Sequence, residues 1–318
     1  ATEHQQINHG LEEAIPFSAM TWQPLTPERF GLGESPFWHP QEQTLYWLDI
    51  AANTVLRANV YMGTTERWLL PQTPGCMAPA ARGGLVIALR DGIYKAREWG
   101  GALELIAPAL HDPATTRFND GKADALGRFW VGTIYEPRTS PAAQLFCMSG
   151  DGLQAKASHA TVANGLAFSP DARKLYWADT TAHVIRAWDW NAQANALSGE
   201  RVFQQFSIKP PGWQPGHLGY GGRPDGAAID SQGNYWCALY EGARLVKLSP
   251  TGDVLDDIPV PAQCPTMPCF GGDDLQTLYL TTASEKRPNA ELQALPLSGC
   301  VLSMRVAVPG LPVNFFID

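Results

Sequence analysis

No stretch of the 318-residue chain approaches the ~20 uninterrupted apolar residues that a membrane-spanning helix needs. Clusters of Lys and Arg are also missing, and 23 basic against 31 acidic residues give a net charge of −8, which disfavours polyanion partners. Neither nucleic acid nor membrane is an expected partner, and oligomeric state is left open. The first residues, Ala1-Thr-Glu-His-Gln-Gln, show no basic-then-apolar leader. That points to a cytoplasmic chain, although a mature periplasmic one would read the same. The cysteines at 76, 147, 237, 264, 269 and 300 lack paired C-x-x-C spacing, so a thiolate zinc site is not indicated. Most read as reduced core residues, with Cys264 and Cys269 the one pair that could bridge. Helical patterning is confined to residues 290–295, ended by Pro296, and a turn near Pro141.

Turn formers are abundant instead, with 30 Gly and 26 Pro. Between them lie short apolar runs that read as hairpins, as in Asn164-Gly-Leu-Ala-Phe-Ser-Pro-Asp171 followed by Leu175-Tyr-Trp-Ala-Asp-Thr180. The pattern recurs. Strand cores centred on Trp47, Ile87, Trp130, Trp177, Trp236 and Leu280 are spaced by 40, 43, 47, 59 and 44 residues. A period in the forties with short strands is that of a β-propeller blade. The expectation is an all-β, six-bladed β-propeller with four-stranded antiparallel blades around a central channel. It occupies residues 23–318 as one domain behind a loose arm at 1–22. A β-sandwich also has many short strands but predicts no constant period. The Trp at 47, 130, 177 and 236 repeat with the blades and are expected in the core. Ring closure should pair a strand within 23–33 with the last blade, whose final strand is expected over 299–308. The long step holds a Gly- and Pro-rich loop, 208–222, expected on the binding face, where Trp213 and His217 could line a mouth.

Eleven to thirteen residues before each strand core stand Glu34, Cys76, Asn119, Asn164, Asp225 and Cys269. In a propeller these positions converge on the axis. Two carboxylates there repel by on the order of 4 kcal/mol at ~4 Å, so either one is protonated or a cation lies between them. Two amides beside them favour a hard divalent cation: calcium foremost, with magnesium or manganese compatible and zinc tolerated. The same Asn-Gly and Asp-Gly pairs also suit plain turns. Lys122 and Asp124 read as blade-surface charges. His39, His159, His183 and His217 lack metal-binding spacing.

Gly33-Glu-Ser-Pro36, Arg117-Phe-Asn-Asp-Gly-Lys122 with Gly127-Arg-Phe-Trp-Val-Gly-Thr133, Asn164-Gly-Leu166 and Arg223-Pro-Asp-Gly226 together resemble the gluconolactonase, regucalcin (senescence marker protein) and sugar-lactonase family. The likeness runs from about residue 29 to 285. It implies one axial divalent metal held by Glu34, Asn164 and Asp225, with Arg117 and Asn119 touching a sugar lactone. Some relatives place a substrate-binding Glu where this chain has Pro137, and Glu136 is the neighbour that could replace it. The expected reaction is metal-dependent hydrolysis of an aldonolactone, with Asp225 as general base as well as ligand. The rival readings are a non-catalytic calcium- or partner-binding propeller, and a phosphoester or organophosphate hydrolase on the same metal.

Overall fold

A computed structural model describes residues 21–318. It contains six four-stranded sheets, each antiparallel and each running outward from one innermost strand. The innermost strands are Gly33–His39, Pro74–Pro79, Thr116–Ala123, Ala163–Phe168, Arg223–Ile229 and Pro265–Gly271, for blades 1 to 6. This is the expected propeller.

Burial follows the radius. In blade 1 every residue of Gly33–His39 is buried, whereas the outermost strand, Thr64–Leu69, alternates between exposed and half-buried residues. An inner strand is packed on both faces by neighbouring blades, so it reads as a continuous apolar run rather than an alternation. Each of the six interfaces between blades has its own apolar core. Trp130, Leu166 and Trp177 join blades 3 and 4, and Trp38, Trp47 and Tyr279 join blade 1 to blade 6. Trp47, Trp130 and Trp177 are at most 1% exposed and Trp236 is 4% exposed, as expected of core residues. Each such side chain contributes roughly 2–3 kcal/mol of burial.

Ring closure is real but shorter than expected. Among the described residues only Gln23–Pro24 pairs, with Leu302–Arg305 of blade 6. Pro24 and Pro27 have no N–H to continue a ladder, and the last strand gives way to turns on both sides. Most of the arm expected at 1–22 lies outside the described residues. Its last residue, Trp22, is buried, and its ring N–H donates to Pro259 O at 2.8 Å. The helix expected at 290–295 is observed at Asn289–Ala294, and a 3-10 turn at Ile50–Ala52 was not foreseen. All six cysteines are free, so Cys264 and Cys269 do not bridge.

Up-and-down order in every blade puts the starts of the innermost strands, the turns after second strands and the connections between blades at one end of the ring, here called the upper end. First hairpin turns lie at the lower end. The segment after blade 6 crosses that lower end. Gly310 bridges Asp230, Phe316 N and O bond Pro79 O and Ala81 N at 2.8 Å each, and Ile317 N donates to Gly127 O at 2.8 Å.

Candidate functional site

Every innermost strand loses register with its neighbour close to the upper end. The shifts fall between Glu34 and Phe37, Pro74 and Cys76, Phe118 and Gly121, Asn164 and Ala167, Pro224 and Ala227, and Pro265 and Met267. A bulge re-aims side chains that strict alternation would send to opposite faces. Glu34, Asn119, Asn164 and Asp225 are thereby brought to the axis from four blades, each at most 8% exposed. Asp120, 4% exposed, comes with them. It was not singled out from the sequence because neighbours in a regular strand point opposite ways, and only the bulge lets Asn119 and Asp120 act together.

The fixed spacing fails in two blades. In blade 6 the bulge falls at Thr266, whose hydroxyl bonds Thr281 Oγ1 at 2.7 Å, while Cys269 lies lower on the axis. In blade 2 Cys76 is at the right level but presents a buried thiol, pushed up by burial and then by the charges of Asp120 and Glu34.

Two orientations of the Asn164 amide satisfy different partners, one serving Thr180 and Pro224 and the other serving Asp225. In the first, Thr180 donates its hydroxyl proton to Pro224 O at 2.7 Å and accepts from Asn164 Nδ2, also at 2.7 Å. Asn119 Nδ2 reaches Asn164 Oδ1 at 3.3 Å and Ala163 O at 2.8 Å. Asn164 Oδ1 is then turned towards Asp225 Oδ1, 3.0 Å away. In the second, the rotated amide donates to Asp225 Oδ1 and takes the Thr180 proton from Pro224. Glu34 completes the set at hydrogen-bonding range of Asp225. Burial, then the charges of Asp225 and Asp120, raises the Glu34 carboxyl well above its usual range, and burial foremost raises Asp225.

In the first orientation three oxygens face one another in a buried ring and need a proton or a cation. Among the described residues no three His, Cys, Asp or Glu side chains form a metal cluster. The donor set that does converge mixes two carboxylates with an amide oxygen, and that chemistry fits a hard divalent cation.

Above this set lies Arg117. Its Nη1 donates to Asn119 Oδ1 and Phe118 O, both at 3.0 Å. Burial, then the neighbouring Arg90 and Arg138, lowers its pKa against the pull of Glu136 and Glu34. Glu136 is half-exposed on the rim and holds Arg90 through Nη1 at 2.5 Å and Nη2 at 3.2 Å. It thus faces Arg90 rather than the axial oxygens. The inserted loop is strand-free and packs on the same rim. Tyr220 bonds His183 at 2.6 Å, and Lys209 and Arg223 both pair with Glu241. Trp213 and His217 bond each other across the loop's own turn.

Two residues lie where the sequence did not place them. Lys122 is inside the channel, reaching from blade 3 to Ala227 O of blade 5 at 2.9 Å. Asp124 has no exposure at all and accepts four hydrogen bonds, from Leu126 N, Arg128 N, Arg128 Nε and Trp130 Nε1. Charge alone suggested the surface. A half-buried lysine inside a channel needs an acceptor and a buried carboxylate needs donors, and both have them.

Fold and site together define a propeller with an oxygen-donor set at one end of its axis. The chain belongs to the SMP-30/gluconolactonase/LRE-like family, whose profile matches residues 32–284. It is 42% identical over 287 residues to a 6-deoxy-6-sulfogluconolactonase of Pseudomonas putida, covering 90% of this chain and 94% of that one. It is 31% identical over 255 residues to a pentonolactonase of Haloferax volcanii, covering 79% and 81%. A calcium-binding regucalcin structure from Agrobacterium tumefaciens superposes with a TM-score of 0.86 at 23% identity, over 93% and 97% of the two chains, which is a likeness of fold.

Proposed function

We propose that the protein hydrolyses the lactone of a sugar acid with the help of one divalent cation held by Glu34, Asn164 and Asp225. The observation that carries this reading is the convergence of buried Glu34, Asn164 and Asp225 from three blades, the Asn164 amide 3.0 Å from Asp225 Oδ1, beneath the Arg117 guanidinium. The relatives named for lactone hydrolysis support the reaction class. Calcium is the first candidate, with zinc, manganese and magnesium to be compared, and the likeness to a calcium-binding fold neighbour is consistent with that order.

When bound, the cation supplies Lewis-acid polarisation of the lactone carbonyl and eases deprotonation of a nearby water. The protein's own groups do the rest. Asp225 takes the proton of the attacking water as the new C–O bond forms, and returns it to the ring oxygen as the lactone C–O bond breaks. Arg117 presents its guanidinium to the developing oxyanion. Asn119 holds that guanidinium through Oδ1, and its Nδ2 is taken up by Ala163 and Asn164, so it acts as a positioning residue.

The rim also bears on the substrate. Arg90 is neutralised by Glu136, and Lys209, Arg223 and Arg287 share Glu241, with Arg287 also paired to Glu291, which leaves one positive charge in excess there. Exposed Arg138, close to Arg117, forms no ion pair among the described residues. The mouth is thus more cationic than the sequence suggested, which favours a lactone with an anionic substituent away from its carbonyl, as in the substrate for which the Pseudomonas relative is named.

The test is a panel of five- and six-membered aldonolactones, with and without a 6-sulfo group, assayed with each metal. Asp225→Asn and Glu34→Gln should each lose at least about 100-fold in kcat/KM, a loss of about 2.7 kcal/mol of transition-state stabilisation. Full turnover by chelated, metal-stripped protein would overturn the mechanism. No turnover of any lactone would favour a binding propeller instead.

A further inference from the structure

The axial channel does not end at the carboxylates. Below them Asp120 accepts from Leu166 N at 2.9 Å through Oδ2, while its Oδ1 has no hydrogen-bond partner among the described residues. Below Asp120, Lys122 spans the channel to Ala227 O. Lys122 also lies in the wall of a lower chamber of about 330 Å³. Trp38, Phe168, Trp190 and Phe270 line this chamber, and the crossing segment closes it with Leu311 and Val313. Ala125 and Pro170, also in its wall, are exposed, so the chamber reaches the lower surface.

Two features bear on what the chamber can hold. The chamber is the lower part of the propeller's central channel, and at about 330 Å³ it is wide enough for a small molecule rather than single waters. An ammonium carries three donors; among the described residues Ala227 O is the one acceptor bonded to it, and the Asp120 carboxylate above acts on it as an opposite charge without a direct hydrogen bond. A space with aromatic walls and one cation with donors to spare is built like a small-ligand site, where apolar surface supplies affinity and one polar group sets orientation.

We infer that the lower chamber binds a small monoanion with an apolar body, a carboxylate on an aromatic or branched aliphatic frame, whose charged end meets Lys122. Polyhydroxylated sugar acids do not suit these walls, so this ligand is neither substrate nor product of the upper site. The inference stands independently of the lactonase reading.

The probe is phenylacetate, titrated calorimetrically into the full chain, with 2-phenylethanol as the neutral analogue of similar shape. Phenylacetate should bind with a Kd of about 1 mM or tighter. The alcohol should bind at least about tenfold more weakly, because it cannot accept a charge-assisted hydrogen bond from the ammonium. Ala125→Trp, which narrows the lower opening, and Lys122→Met should each weaken phenylacetate by about tenfold or more. If Lys122→Met does not fold, Ala125→Trp and the alcohol comparison decide. Three results would each overturn the inference: no heat at millimolar phenylacetate, equal binding of acid and alcohol, or unchanged binding in both folded variants. The last would place the ligand at the upper mouth, against Arg117.

Discussion

At the scale of single residues, the protein repeatedly solves the problem of burying a charge, and its solutions are measurable. Asp124 in blade 3 and Asp230 in blade 5 perform one task at equivalent turns. Asp230 gathers Gln232 N, Asn234 N and Trp236 Nε1 as Asp124 gathers Leu126 N, Arg128 N and Trp130 Nε1. In blades 1 and 4, Trp47 and Trp177 occupy the same place with no partner for Nε1. Asp124→Ala would strand Trp130 Nε1 and the Arg128 guanidinium together. The expected cost is about 3 kcal/mol or more, read as a lower urea midpoint at unchanged slope. A change under about 0.5 kcal/mol would mean the turn holds without its carboxylate.

Glu241 gives a residue-scale prediction in pH. Burial, the largest single influence, pushes its carboxyl up, but hydrogen bonds from Lys209 and Arg223 and the charges of Arg223 and Arg287 outweigh it, holding the pKa at about 2 against an ordinary 4.5. The folded protein thus binds the proton less readily than the unfolded chain. The stabilisation is fully present above about pH 4.5 and is lost as pH falls towards 2. Its size is on the order of 2–3 kcal/mol, the side chain being only 4% exposed. Glu241→Gln should flatten the decline of stability across that interval in acid titrations followed by circular dichroism. A wild-type slope retained in the variant would assign the decline to other carboxylates.

At the scale of elements, the bulge is the unit that makes the site, and it explains what the sequence could and could not reveal. The Asn-Gly and Asp-Gly pairs were legible as special turns, and Glu34, Asn164 and Asp225 fell among six slot residues because bulges at comparable places keep their spacing nearly constant; the family resemblance then singled out these three as ligands. Thr266 was not legible, since a bulge shifted by a residue is invisible to a fixed offset, and Asp120 was not, since strict alternation would send it away from Asn119. Gly165 shows how tight this construction is. It sits in the bulge next to Asn164 at φ 58°, and a Cβ there would lie 2.3 Å from the Tyr235 hydroxyl oxygen and 2.9 Å from Ala178 Cβ. Tyr235 is also anchored, donating to Gly165 O at 2.7 Å. Gly165→Ala should therefore cost about 2–3 kcal/mol and lower lactone turnover by moving Asn164. Gly63→Ala, at φ 68° with nothing within 4 Å of the added carbon, should cost no more than about 1 kcal/mol and leave turnover intact. Equal effects at both positions would refute the packing argument.

At the scale of the whole molecule, blade number followed from a period in strand cores because each blade repeats one packing problem. The upper rim was less legible, because Arg90 meets Glu136 and Glu241 meets Arg287 only through turns of different blades. The ring is where the proposed cation would act on stability. Its ligands come from blades 1, 4 and 5, so a cation bound only by the closed ring links elements far apart in sequence. A ligand at about 100 times its Kd should add about 2.7 kcal/mol to folding stability, which for a chain of this length raises Tm by roughly 4 °C. The full chain, stripped with chelator and titrated with calcium in differential scanning calorimetry, should show that rise. Glu34→Gln and Asn164→Ala should abolish most of it, because each removes an oxygen the cation needs. Lys122→Met, changed below the donor set, should keep it if the protein folds. A Tm indifferent to calcium, zinc, manganese and magnesium in the wild-type chain would leave the close contact of Asn164 and Asp225 to an amide hydrogen bond instead, and the lactonase mechanism would have to work without the cation.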